Sequence, residues 1–288
     1  MQLGLLKEVS IYSFYIFLNI IMNKVYWSTG QFVLGMYLGT AAVAVFAVAI
    51  QFQGMYMGFS TAISGVFLPK VTGMVASNST NREISDLFVR TGRIQYVVMA
   101  FILAGFILFG RQFIILWAGP DYEAAFSMTL LFFIALTIPL IQNLGITILQ
   151  ARNQMEFRSW LYFAMAIVSL VFQILLAEKF GGLGIAYAIA GGLVLGNVII
   201  MNIYYHRKQH IDMIHFWGEI LRMSIAPLIV SMGTYYLIQG IKFESFGQLV
   251  IAICIFSMVY LPVFWFSSMN TYERELLKKP MVKLLKRN

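Results

Sequence analysis

AAVAVFAVAIQFQGMYMGFSTAISGVF, residues Ala41–Phe67, is a run of 27 residues with no charged side chain. A helix needs about 20 predominantly apolar residues to cross the hydrocarbon core of a bilayer, and this run exceeds that length. It is apolar on all sides, whereas a strand of a membrane barrel would alternate apolar and polar residues over about ten positions. Seven further runs of similar character follow or precede it: Val9–Trp27, Gln95–Phe109, Phe126–Leu149, Trp160–Ala177, Leu183–Tyr205, Met223–Gln239 and Gly247–Phe266. The pattern predicts an all-α polytopic membrane bundle of about eight transmembrane helices.

Composition points the same way. Of 288 residues, 60% are apolar, 16% aromatic and 11% charged, against about 45–50% apolar and about 25% charged in an ordinary soluble domain. A core of this size cannot hide so much apolar surface from water, so the surface must meet lipid. The net charge of +8 does not read as a nucleic-acid face, because the Lys and Arg residues are dispersed between the apolar runs. The lone Cys254 cannot form an internal disulfide, and no Cys/His spacing reads as a metal site.

The basic residues also set an orientation. Lys7, the Lys70–Arg93 loop, Arg152 with Arg158, the Arg207–Arg222 loop and the tail from Arg274 hold sixteen of the twenty Lys and Arg. The intervening loops hold only Arg111, Lys179 and Lys242. By the positive-inside rule this alternation predicts eight helices in a cell membrane with both termini cytoplasmic. All five tryptophans fall near the ends of predicted spans, where an interfacial belt places them. The first run lacks a small-residue cleavage site, so it reads as a helix rather than a signal peptide.

Polar groups within the spans are the candidate functional residues. An ionisable group at the bilayer centre costs roughly 2.5–3.5 kcal/mol on insertion scales, and Lys24 is the one that clearly qualifies. It either faces a hydrated cavity or snorkels to the headgroups. Asn19 and Asn23 share a helix face beside it, and Gln31 follows. Gln51 in the second run and Gln142 and Asn143 in the fourth complete the set of candidate cavity residues. Amides can bond sugar hydroxyls, and they also bond between helices. Pro139, Pro227 and Pro262 lie inside spans, where each removes a backbone hydrogen bond. Gly35/Gly39, Gly54/Gly58 and Gly192/Gly196 are small-residue pairs suited to close helix packing. The absence of an acidic residue deep in any span argues against a proton- or sodium-coupled pump. No catalytic constellation appears, so an enzyme is disfavoured and no cofactor is expected. His206, His210 and His215 read as a solvated segment, and the Asn78-Ser79-Thr80 sequon falls in a loop assigned to the cytoplasm.

A resemblance adds specificity. Asn23-Lys-Val-Tyr-Trp-Ser-Thr-Gly-Gln-Phe-Val-Leu-Gly35 and Gly39–Gln51 resemble the start of the second half of the polysaccharide biosynthesis proteins, the O-antigen and capsule repeat-unit flippases of the multidrug/oligosaccharidyl-lipid/polysaccharide superfamily. Ser60–Val71, Gly92–Tyr96, Phe113–Gly119, Thr137–Asn143 and Asn202–His206 are similar to the same family in the same order. The resemblance implies two six-helix lobes, often with two more helices, working by alternating access on a lipid-linked oligosaccharide. Residues 1–205 would be the second lobe, 206–268 a cytoplasmic loop and the extra helix pair, and 269–288 a basic cytoplasmic tail. A first lobe would come from a longer chain or a second polypeptide. Gly30 departs from the family, whose members often carry an acidic residue there. The resemblance further implies that Lys24 offsets phosphate charge on the substrate. A drug or metabolite exporter of the same superfamily, or a non-transporting membrane assembly protein, are the competing readings.

Overall fold

The computed structural model describes residues 3–241 and 243–275. Lys242 and most of the basic tail, from residue 276 onward, lie outside the described residues. Among those described there are helices and no strands: α1 (Leu3–Ala76), α2 (Asn81–Ala118), α3 (Ala124–Ile141), α4 (Leu144–Ala151), α5 (Glu156–Leu193), α6 (Met201–Arg207), α7 (Met213–Ile238) and α8 (Phe246–Ser267). Six helical stretches are long and apolar enough to cross a membrane. Large apolar side chains such as Phe32, Val66, Met258 and Leu237 point outward, which is the build of a multi-pass membrane protein.

Two of these stretches double back. Gly39, at φ 78°, and Gly181, at φ 58°, interrupt α1 and α5 with backbone angles that glycine adopts without steric penalty. A Cβ on Gly30 would come within 3.1 Å of the Phe46 ring, although 16 residues of straight helix would separate the two by about 24 Å. Likewise, a Cβ on Gly196 would sit 3.1 Å from Met165. Each glycine is therefore the tip of a helical hairpin.

The other termini are built by local chemistry. Thr80 and Glu83 form a reciprocal capping box that starts α2. Asp212 accepts from the His215 amide at 2.9 Å to start α7, and Ser245 caps α8. The capping box starts α2 well before the apolar run at Gln95, so Arg82, Arg90 and Arg93 lie on the helix rather than in a loop. A helix is limited by its caps, whereas an apolar run is limited by the bilayer.

Packing divides the bundle into two cores. Tyr26, Leu34, Phe46, Phe132, Ile185 and Ile189 belong to the larger one, which joins both arms of α1 to α3 and α5. The smaller core sets Met223 of α7 and Phe256, Tyr260 and Phe264 of α8 against Ala100, Ala104 and Phe109 of α2. Helices α7 and α8 thus attach to the rest chiefly through α2.

The turns segregate to two ends. At one, Arg152 donates to Asn81 Oδ1 at 2.8 Å and to the Gln209 carbonyl at 3.0 Å, and the Asp212 amide donates to Ser85 Oγ at 2.9 Å. At the same end, Arg93 reaches Glu219 and Glu273, both at 2.5 Å. At the other end, Arg111 pairs with Glu123, and Gln112 bonds the Ile241 carbonyl and the Phe243 amide.

Candidate functional site

A cavity of about 300 Å³ opens inside the larger half of the bundle, walled by both arms of α1, α3, α4, both arms of α5, the segment leading into α6 and α6 itself. It lies toward the end where Arg152 ties the turns together, since Gln150 and Met155 on either side of the α4–α5 turn both reach it. Two backbone irregularities converge there. The helix that begins as α3 breaks at Gln142 and Asn143, three residues after Pro139, and resumes as α4. Pro139 lacks the N–H that would bond the Ala135 carbonyl one turn back, and at the break itself i→i+3 bonds such as Gly145 N–H to Gln142 O, 2.8 Å, bridge the gap. Opposite, residues Val194–Ile200 widen into a π-helix that carries Gly196 and Asn197 into the wall. Interrupted helices and π-bulges recur at ligand sites in membrane proteins because they free backbone and side-chain polar groups at depth.

The polar lining is mostly amide. Asn19 donates to the Tyr15 carbonyl at 2.8 Å and to the Ser159 hydroxyl. Gln142, buried, exchanges two hydrogen bonds with Asn202, at 3.0 and 3.2 Å. Asn202 also bonds the Asn197 carbonyl and accepts from the Trp217 indole, and Tyr162 donates to Asn197 Oδ1 at 3.1 Å. Asn143 donates to Ser64 at 3.0 Å. Asn23 and Gln150 also line the space, and neither side chain bonds another of the described residues.

Among the described residues one charged group, Arg158, lines the cavity. Arg158, in the first turn of α5, is only 8% exposed. Its guanidinium stacks 4.3 Å from the centre of the Tyr162 ring, and its Nε is buried with no hydrogen-bond partner. Among the described residues no carboxylate lies within salt-bridge distance of it.

Of the residues singled out from sequence, Asn19, Asn23, Gln142 and Asn143 are brought together on this wall. Lys24, Gln31 and Gln51 are not part of it. Lys24 and Gln51 are exposed and Gln31 is half-buried. The reason is helical geometry: Lys24 is rotated about 100° from Asn23, so one can face inward while the other faces out. Sequence reasoning missed Arg158, Asn197 and Tyr162. Arg158 follows directly on a loop, where a cation ordinarily reads as solvated. The histidines do not gather, and no group of three His, Cys, Asp or Glu side chains that could hold a metal occurs among the described residues.

A second cavity, of about 420 Å³, lies between α2 and α7. Leu103, Ile107, Leu228 and Met232 dominate it, with few polar atoms. It offers a ligand little but apolar contact, so the amide-lined cavity is the candidate site. No protein-family model, no curated protein and no solved structure matches the chain.

Proposed function

We propose that this chain forms one lobe of a membrane flippase that carries lipid-linked oligosaccharide units from the cytoplasmic to the outer leaflet for surface polysaccharide synthesis. The observation that carries this reading is the cavity among the apolar helices, lined by Asn19, Asn23, Gln142, Asn143, Gln150 and Asn197. Amides present donor and acceptor together, as vicinal sugar hydroxyls require. The side chains of Asn23 and Gln150, which bond none of the other described residues, leave bonds for a ligand to take up. The sequence resemblance to repeat-unit flippases adds the substrate class.

In this reading the hairpins at Gly39 and Gly181 turn six apolar stretches into eight spans of a cell membrane. The end gathered by Arg152 is cytoplasmic, together with both termini. A second lobe, supplied by another polypeptide or by further chain, faces this one to complete the path. The lipid tail remains in the bilayer while the head crosses.

Deleting the gene in its native cell should abolish surface polysaccharide and leave lipid-linked repeat units in the cytoplasmic leaflet. Complementation by Asn23→Leu/Gln150→Leu at normal membrane levels should restore less than a tenth of it. Full polysaccharide in the deletion strain, with sensitivity to small exported cations, would replace this reading with a drug exporter.

A further inference from the structure

We propose that Arg158 is the anchor for a phosphate-type oxyanion in the amide-lined cavity, so that the ligand is a hydroxyl-rich group carrying phosphate. The inference deepens the flippase reading and rests on it for the hydroxyl-rich part. It stands on its own geometry for the oxyanion.

The argument starts from cost. A guanidinium withdrawn from water is stable when carboxylates and hydrogen bonds replace its hydration, and unstable without them. Arg158 is more than nine-tenths buried, and among the described residues it has no carboxylate partner and its Nε bonds nothing. The nearest acid in sequence, Glu156, is exposed and bonds Tyr15 instead. Tyr162 covers one face of the guanidinium, leaving the donor edge for polar partners. Tyr205, also on the cavity wall, shares a side-chain hydrogen bond with it, and a neutral hydroxyl leaves the charge uncompensated. The Nε–H with a neighbouring terminal N–H is the fork that grips two oxygens of one phosphate. A deprived cation held against a cavity is a site awaiting an anion. Asn23 and Gln150, on the same wall and unbonded among the described residues, can take up whatever the phosphate carries.

The oxyanion could come from a prenyl diphosphate, a phospholipid headgroup or free phosphate, and the test separates them. The purified protein in neutral detergent is titrated with inorganic pyrophosphate, farnesyl diphosphate, farnesol and phosphatidylglycerol micelles. The readouts are unfolding temperature and the fluorescence of Trp27, which lines the cavity. Both diphosphates should raise the wild-type midpoint, and farnesol should not. Arg158→Gln should weaken diphosphate binding at least tenfold, and Arg158→Lys, which keeps the charge without the fork, by less. With no ligand present, Arg158→Gln should melt higher than wild type, because it removes an uncompensated charge. A purely structural arginine would give the opposite sign.

Equal diphosphate binding by wild type and Arg158→Gln would overturn the proposal, as would a lowered midpoint in Arg158→Gln that Arg158→Lys restores. If binding fails while the amide variants still abolish surface polysaccharide, the flippase reading survives without this anchor. Arg158-dependent binding of phosphatidylglycerol alone would keep the oxyanion site and identify its occupant as a headgroup, removing support from the flippase reading.

Discussion

Two buried arginines, one in each half of the bundle, are treated in opposite ways. Arg93 on α2 is 5% exposed, and its guanidinium is saturated: Nε and one terminal nitrogen reach Glu273, the other reaches Glu219, and the Ser268 carbonyl accepts at 3.1 Å. Its partners come from α7 and from the turn beyond α8, so one side chain fastens both outer helices to α2. Glu273 is fixed in turn by a reciprocal pair of 2.9 Å bonds with Asn270. Arg158 is buried to a similar degree and, among the described residues, meets no carboxylate; the Tyr205 hydroxyl and the Tyr162 ring are its company. Burial therefore does not distinguish a structural cation from one held for a ligand, whereas the balance of partners does. At Arg93 the charges are spent on one another; at Arg158 the charge is left available.

The largest effect should come from unbalancing the saturated site. Arg93→Leu leaves Glu273, only 2% exposed at its side chain, without its cation. The loss should be about 3–5 kcal/mol, read as a lowered unfolding midpoint or as failure to accumulate in the membrane. Glu219→Gln should cost less, since Glu219 is 22% exposed and also faces Arg222 at 3.5 Å. If both variants unfold like wild type, Arg93 is no clamp, and the contrast with Arg158 loses its first half.

A middle-sized effect tests how tightly the halves are joined. A Cβ on Gly92 would meet the Phe216 ring at 2.4 Å and the Ile141 carbonyl at 2.7 Å. The ring can swing aside, but the carbonyl, at the point where α3 breaks, cannot. Gly92→Ala should therefore cost about 1–3 kcal/mol. Because Ile141 adjoins Gln142, it should also weaken diphosphate binding when the titration is repeated. Loss of stability without loss of binding would show that the break and the anion site are independent.

How much of this was legible in the sequence depends on which force placed each residue. The apolar runs were legible because the bilayer acts on composition alone. Even the gaps between runs, 28–40 and 178–182, bracket the reversing glycines Gly39 and Gly181. Asn19 and Asn23 share a helix face by their spacing, and both line the cavity. Arg93 and Arg158 were not legible as buried groups. Counting positive charges treats any cation near the end of a run as solvated, whereas their burial depends on partners far along the chain, or on rings packed by tertiary structure. The Gln142–Asn143 break was visible only as a polar pair, because a proline inside a span can kink a helix without interrupting it.

The smallest expected effect is the most discriminating test of where the cavity charge resides. Lys24 is the cation that the apolar runs single out, yet it is exposed and stands off the cavity wall. Removing it from this chain should leave diphosphate affinity unchanged and shift stability by no more than about 0.5 kcal/mol. Lys24→Ala and Arg158→Gln should therefore separate cleanly in the same titration. If Lys24→Ala instead weakens diphosphate binding tenfold, the anion is held from the outer face of α1 rather than within the bundle. The two cations would then have to exchange roles, with Lys24 holding the ligand and Arg158 merely stacking on Tyr162.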